Sequence, residues 1–140
     1  MSKLIMTFHI HIEAITRMEA EWIKVNIIPF SGYVESELFT GKIVPGAVDV
    51  QTTDRAGVKH MCAKYMFKGY DQNHEECYLY VENNGYFERN HNPSPFEACP
   101  SFMSDNKELH QYLSQKRFRA EGHSTDDELL IKIYDVLVVW

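Results

Sequence analysis

The sequence predicts an all-β, mainly antiparallel fold: a single small β-barrel of about eight strands with one short helix near residues 105–116. Residues 4 to 16 alternate between apolar and polar side chains with the period of a strand. Further short runs rich in β-branched and aromatic residues follow, separated by polar turns, and strands do not alternate with helices. A barrel or a sandwich satisfies this pattern, and closure into a barrel removes the exposed sheet edges.

The first half of the chain divides into strands at its turn residues. A run over residues 21–30 is expected to end at Pro29, with a turn around Gly32. The next strand covers 33–44 and is broken by Pro45 and Gly46. The later strands and the turns between them are expected at 47–53, 54–57, 58–70, 71–75 and 76–89.

The second half begins with a loop over residues 90–102, whose three prolines disfavour a regular ladder. Ser104 is the expected N-cap of the helix, which places Leu109, Tyr112 and Leu113 on one face. Strand character returns over 117–123 and 128–140, with a polar turn between them.

Composition indicates one globular domain over residues 1–140. The chain is 44% hydrophobic and 24% charged, and no apolar run approaches the roughly 20 residues that cross a bilayer. No export signal is visible, and the three cysteines form no C-x-x-C pair, so we expect a cytoplasmic protein with reduced thiols. The formal net charge is -6 and the basic residues are scattered, so neither nucleic acid nor a membrane is an expected partner.

Residues 31–51, SGYVESELFTGKIVPGAVDVQ, resemble the family called domain of unknown function 3237, or uncharacterised protein family 0311. Its usual Pro-Gly-Gly-Ala-Asp-Trp run corresponds here to Pro45, Gly46, Ala47, Val48, Asp49 and Val50, so the aspartate is present without its tryptophan neighbour. The resemblance continues through the Ala63-Lys64-Tyr65 triplet, 79–85, 95–98, and Tyr112, Leu113 and Gly122, with Ser114 where the family has Asn. It implies a small β-barrel and no particular function.

Three residues are candidates for binding a ligand. Asp49 interrupts an apolar strand, and it would either act inside the barrel as an acid or base with a raised pKa, or stabilise the preceding turn. Tyr65 would either orient a ligand carbonyl through its hydroxyl or fill the core. Glu97, in the proline-rich loop beside Phe96, would either cover a barrel mouth or lie on an irregular surface.

The segment FHIHIEA places His9, His11 and Glu13 on one face of a strand. Successive side chains of that face lie roughly 6.5 to 7 Å apart, so all three would strain to reach one ion. We expect a solvated outer face and no bound metal. His60 is expected to point outward, and Cys99 has no histidine neighbour in sequence to activate it.

Three functions are compatible with these features. The first is a barrel that binds a small apolar or carbonyl-bearing molecule through Asp49, Tyr65 and Glu97. The second is an isomerase or cyclase without cofactor, in which Asp49 or Glu97 moves a proton. The third is a filled barrel with a structural role that assembles into a homo-oligomer. No cofactor is expected in any of them.

Overall fold

The computed structural model describes residues 2–88 and 94–137. These residues form ten strands and one helix: β1 (Lys3–Ile12), β2 (Thr16–Glu19), β3 (Lys24–Glu35), β4 (Phe39–Ile43), β5 (Val48–Thr53), β6 (Val58–Asp71), β7 (Glu76–Glu88), β8 (Phe96–Ser104), α1 (Lys107–Leu113), β9 (Phe118–Ser124) and β10 (Leu129–Asp135). All the strand pairs are antiparallel, as the sequence predicts. No helix among the described residues is long and apolar enough to span a bilayer.

The sheet closes because β1 pairs with β10 on one side and with β3 on the other. Two of the barrel strands are interrupted: β4 and β5 both lie between β3 and β6, and β1 and β2 both pair with the opposite edge of β3. Counting each interrupted strand once gives eight positions around the barrel. The predicted barrel of about eight strands is therefore confirmed, and the ten segments reflect two breaks next to β3.

The predicted end of a strand at Pro29 and the turn at Gly32 are wrong, because β3 runs unbroken from Lys24 to Glu35. Pro29 pairs with Val48, and its carbonyl accepts a hydrogen bond from the Glu13 backbone amide at 3.0 Å. Gly32 allows β1 to come close, since a Cβ on this residue would lie 2.0 Å from the carbonyl oxygen of His9. The glycine therefore marks a close approach of two backbones rather than a turn.

The predicted loop over 90–102 is also wrong in its second part, since residues from Phe96 onward form β8. Pro100 lies within this strand opposite Asn83. Proline is tolerated there because β9 pairs with β8 only at residues 96–98, so one side of the strand beyond Ala98 needs no backbone donor. The first part of the predicted loop, residues 90–93, lies outside the described residues.

Helix α1 covers one end of the barrel. Its N-cap is Asn106 rather than the predicted Ser104: the Asn106 side chain accepts a hydrogen bond from the Leu109 amide at 3.0 Å. Ser104 instead accepts one from the Asn106 amide at 3.1 Å through its hydroxyl. Leu109 and Leu113 are buried as predicted, and they bring the helix onto the core.

Aromatic rings fill the middle of the barrel. The Phe8 ring lies 4.8 Å from Phe67 and 6.0 Å from Tyr65, measured between ring centroids. Phe30 packs against Tyr65 and Phe39 against Phe67, each edge to face. This cluster separates the end that α1 covers from the opposite end, where the chain leaves an internal space.

A buried carboxylate ties α1 to the last strand. Asp135 is 1% exposed, and its Oδ2 accepts hydrogen bonds from the Tyr112 hydroxyl at 2.6 Å and from Arg117 at 2.8 Å. Burial on its own would raise the pKa of Asp135, but these bonds, together with one from the Leu137 amide, hold it below its ordinary value. The ionised carboxylate therefore stabilises the folded state.

Gly69→Ala is expected to destabilise the barrel by about 2–4 kcal/mol. The added methyl group would lie 1.9 Å from the Thr40 carbonyl oxygen, so β4 and β6 would have to separate. Gly85→Ala is the control, because the nearest atom to its added methyl group is a side-chain atom of Phe87 at 3.1 Å, which needs to shift by only a few tenths of an ångström. Urea unfolding of both variants measures the difference, and equal losses would contradict this account of β4–β6 packing.

Tyr112→Phe is expected to cost about 2 kcal/mol of unfolding free energy at neutral pH, because it removes a hydrogen bond to a buried carboxylate. A carboxyl group with a lowered pKa in the folded state contributes stability above its ordinary pKa, and the contribution is lost as the pH falls through the lowered value. The difference in unfolding free energy between the variant and the wild type should therefore become smaller at acid pH. Tyr86→Phe, at a residue 69% exposed, is the control, and chemical denaturation between acid and neutral pH is the measurement.

Candidate functional site

A cavity of about 100 Å³ lies inside the barrel at the end opposite α1. The course of β8 shows that the cavity and α1 lie at opposite ends of the barrel, because this strand begins beside the cavity at Phe96 and ends at Ser104, shortly before the helix. Apolar side chains form most of the wall: Ile10, Ile12, Ile28, Phe30, Met61, Ala63, Phe96, Leu129 and Ile131. The polar lining residues are Asp49, Gln51, Tyr65 and Asn83. Ile12 is 54% exposed and marks the rim.

Asp49 and Gln51 face inward because they alternate with Val48 and Val50 along β5. Asp49 is paired with Ile28 on one side and Ala63 on the other, and both of these neighbours are buried. Thus β5 presents two polar side chains to an interior that the adjoining strands make apolar.

A row of hydrogen bonds runs from the outer strand β2 to Asp49. Arg17 Nε donates to Asn26 Oδ1 at 3.1 Å, and Asn26 Nδ2 lies 3.5 Å from Gln51 Oε1. Gln51 Nε2 then donates to Asp49 Oδ2 at 2.9 Å. Every bond in the row points the same way, so each donor favours the negative charge at its end.

Two of the lining residues carry a buried side-chain oxygen atom that has no hydrogen-bond partner among the described residues: Asp49 Oδ1 and Asn83 Oδ1. Asn83 is 2% exposed, so solvent outside the barrel does not reach its side chain. A buried acceptor without a donor costs on the order of 1–3 kcal/mol. The site therefore holds unused hydrogen-bonding capacity.

Burial raises the pKa of Asp49 above its ordinary value, against the opposing effects of the Gln51 hydrogen bond and the nearby Lys59 and His60. Burial also raises the pKa of the Tyr65 hydroxyl, and the charge of Asp49 adds to this effect. Tyr65 is therefore a neutral hydrogen-bond donor near neutral pH. Asp49 changes between an acceptor and a donor closer to neutrality than an exposed aspartate does.

The structure brings Asp49 and Tyr65 into one cavity but leaves Glu97 outside it, which corrects the expectation that Glu97 lies over the mouth. The Glu97 side chain is 74% exposed and pairs with Arg119 at 3.5 Å on the outer surface. Its neighbour Phe96 faces the cavity instead, because adjacent strand residues point to opposite faces. The sequence analysis missed Gln51 and Asn83. Strand alternation is the signal for both, since Gln51 lies two residues from Asp49 and Asn83 lies two residues from the buried Val81.

His9 and His11 meet a different carboxylate from the one their motif contains. His9 Nδ1 lies 2.9 Å from Glu128 Oε1, and His11 Nε2 lies 3.5 Å from Glu128 Oε2. Glu13 is hydrogen-bonded to the Ser31 hydroxyl. Within residues 2–88 and 94–137, no group of three metal-ligating side chains is suitably placed to hold an ion.

His60 is half-buried and pairs with neighbours on the sheet rather than with the cavity. Its Nε2 lies 3.0 Å from Asn84 Oδ1, and its ring stacks on Tyr86 with the centroids 4.4 Å apart. Cys99 is exposed as a free thiol on β8. Neither residue lines the cavity.

Fold and site together define a small closed antiparallel barrel whose internal cavity has a polar patch on an apolar wall. A family model described as protein of unknown function (DUF3237) matches residues 2–136. The chain belongs to this family, which confirms the resemblance found in its sequence. No curated protein matches the chain.

Solved structures from three bacteria share the fold. A protein of unknown function from Clostridium acetobutylicum is 20% identical with a TM-score of 0.78, over 96% of this chain and 98% of that one. A conserved protein of unknown function from Rhodopseudomonas palustris is 24% identical with a TM-score of 0.73, over 98% and 97%. A β-barrel-like protein from Acinetobacter baumannii is 16% identical with a TM-score of 0.72, over 95% and 94%. At these identities the likeness shows the fold alone.

Asp49→Asn is expected to change the pH dependence of stability in a defined direction. When a carboxyl group has a raised pKa in the folded state, the free energy of unfolding of the protein falls as the pH rises from the ordinary pKa through the raised value. Asparagine does not ionise, so the unfolding free energy of the variant should increase relative to that of the wild type over this pH range. The difference should persist at neutral pH. Urea unfolding across the acid to neutral range measures this, with Asp126→Asn in the exposed turn as control. A difference that does not vary with pH would contradict the burial of Asp49.

Proposed function

We propose that this protein binds a small, largely apolar molecule in the cavity opposite α1, with Asp49 and Tyr65 as polar contacts. The observation that carries the proposal is a largely apolar cavity inside the barrel that a few polar side chains, among them Asp49 and Tyr65, also line. Ligand sites commonly combine an apolar wall with a few polar groups that fix orientation. The interior of an eight-stranded barrel is either filled by side chains or wide enough for one small ligand, and the cavity here favours the second arrangement.

The volume limits the size of the ligand. A water molecule occupies about 30 Å³ in the liquid, so about 100 Å³ corresponds to roughly three waters. An apolar cavity of about 150 Å³ is enough to bind benzene. The cavity has about two thirds of that volume, so we propose that the buried part of the ligand has about four non-hydrogen atoms, with one or two more at the rim near Ile12.

A specific observation favours a second candidate, an acid-base enzyme without cofactor. Asp49 lines the cavity and combines a raised pKa with an oxygen atom, Oδ1, that has no hydrogen-bond partner among the described residues. A carboxyl group of this kind is a suitable proton donor or acceptor for an isomerisation or cyclisation. In this candidate Tyr65 orients the substrate, since its hydroxyl remains protonated.

The state of the cysteines supports a cytoplasmic location for either function. Cys62, Cys77 and Cys99 are all free thiols, and disulfides are rare in reducing compartments. We propose this location on that ground and on the composition of the chain.

Binding is tested by titrating the protein with neutral compounds of five or six non-hydrogen atoms while the methyl signals of Ala63 and Met61 are followed by NMR. We expect shifts confined to the cavity and at least about tenfold weaker binding in Ala63→Val, where the added methyl groups occupy the ligand volume. Lys64→Val places the same side chain on the outer face and is the control. Equal affinity in the two variants, or no binding by any compound, would overturn the proposal.

The enzyme candidate requires a separate measurement. A compound that binds is incubated with the wild type and with Asp49→Asn, and product formation is followed by mass spectrometry. Loss of turnover with retained binding in the variant supports acid-base catalysis. Turnover that persists in the variant removes Asp49 from that role.

A further inference from the structure

Strand β2 has an open edge. It is the last strand in the order of the sheet and pairs with β3, and no other strand among the described residues lies along its second side. All four of its residues are exposed. An open strand edge presents backbone N–H and C=O groups that can pair with another chain. Strand β2 is therefore a place where a further strand can be added to the sheet.

The turn that joins β2 to β3 determines which backbone groups face the open edge. The Ala20 amide donates to the Ile23 carbonyl at 2.9 Å, so these two residues form a hydrogen-bonded pair. Hydrogen-bonded and non-hydrogen-bonded pairs alternate along an antiparallel ladder. The backbone of Met18 therefore bonds to β3, while the N–H and C=O groups of Arg17 and Glu19 point to the open edge.

Two copies of β2 can pair antiparallel about a two-fold axis, and the outward backbone groups limit the register of this pairing. An axis through residue 17 would place two arginines directly opposite each other, and an axis through residue 19 two glutamates. Like charges directly opposite are destabilising. An axis through Met18 instead places Arg17 of each copy opposite Glu19 of the other. The charges of β2 therefore favour this register.

The same register satisfies both the backbone and the charged side chains. Each pair of Arg17 with Glu19 of the second copy would form two backbone hydrogen bonds, and its side chains would lie on one face of the sheet. Arg17 Nε donates to Asn26 Oδ1 at 3.1 Å, and the guanidinium carries four further N–H donors that suit a carboxylate. Lys24 Nζ lies 3.9 Å from Glu19 Oε2 within one copy, which adds a second cation beside this carboxylate.

The opposite face of β2 carries exposed apolar side chains. Met18 and Ile27 lie on this face, because Met18 pairs with Val25 and Ile27 lies two residues further along β3. The axis through Met18 would bring the Cα atoms of the two Met18 residues to about 4.5 Å from each other. Exposed apolar side chains are frequent around this strand: Ile12, Ile15, Met18, Trp22, Ile23 and Ile27. Pairing of two copies would cover part of this surface.

We propose that the chain forms a two-fold dimer in which the β2 strands of two copies pair antiparallel about Met18. The sheets of the two barrels are then joined through this pair of strands. A second copy is the partner that fits the edge, because the sequence of β2 is complementary in charge to itself in this register. The contact involves few residues, so the dimer is of the weak class and forms at high protein concentration.

Sedimentation equilibrium from about 10 µM to about 1 mM protein tests the charge pairing. Glu19→Arg places arginine opposite Arg17 twice, and it should raise the dissociation constant of the dimer at least about tenfold. Glu21→Arg makes the same change of charge in the turn after β2 and is the control, with an expected change of less than about threefold. The double variant Arg17→Glu/Glu19→Arg exchanges the two charges and should restore the wild-type value to within about threefold.

Amide hydrogen exchange of the wild type tests the backbone pairing without any substitution. The amides of Arg17 and Glu19 face the open edge, so their exchange should slow at least about threefold between the dilute and the concentrated sample. The amide of Asp126, in an exposed turn away from β2, is the internal control and should exchange at an unchanged rate.

Each contrary result overturns the proposal. A chain that remains monomeric at about 1 mM has no such dimer, and the edge of β2 would then be left for an extended peptide of another protein. A dimer in which the Arg17 and Glu19 amides exchange at unchanged rates uses a different surface. Equal dissociation constants for Glu19→Arg and Glu21→Arg would show that the charges of β2 do not determine the pairing.

Discussion

The structure depends on the antiparallel pairing of β1 with β3, because this contact closes the sheet. Without it, two long edges with unpaired backbone groups would face water and neighbouring molecules. The pairing is possible because Gly32 has no side chain where the backbone of His9 passes. The enclosed interior, and with it the burial of Asp49 and Asn83, follows from this one close contact.

Closure also accounts for the chemistry of the cavity. Burial of a polar side chain costs free energy unless the group is hydrogen-bonded. Most of the polar groups near the cavity are: a continuous row of hydrogen bonds joins Arg17, Asn26, Gln51 and one oxygen atom of Asp49. The exceptions are one oxygen atom each on Asp49 and Asn83. Among the described residues, one further buried polar atom without a partner, Arg117 Nε, lies away from the cavity, so two of the three such atoms belong to residues that line it.

The sequence predicted the fold class well because side-chain alternation and turn residues are local signals. The breaks at Pro45 and Gly46 and the turn at residues 54–57 are both found. The errors at Pro29, Gly32 and Pro100 share one cause: each residue was judged by its backbone preference, while its tolerance depends on the partner strand beside it. Asp49 and Tyr65 were found because a polar group in an apolar run is visible in sequence. Asn83 was missed because alternation along its strand places it on the same face as Val81 but does not show which face of that strand is inward; its pairing with Ala63 does.

Because of the two interruptions next to β3, local stability differs between the two sides of the barrel. Its far wall consists of β6 and β7, long strands in continuous register, whereas the wall on either side of β3 is assembled from short pieces such as the four residues of β2. Short segments detach from a sheet at a lower free energy than the whole domain unfolds. A molecule bound beside β5 would therefore exchange with solvent through the transient detachment of one of these short strands, while the other strands of the barrel stay paired.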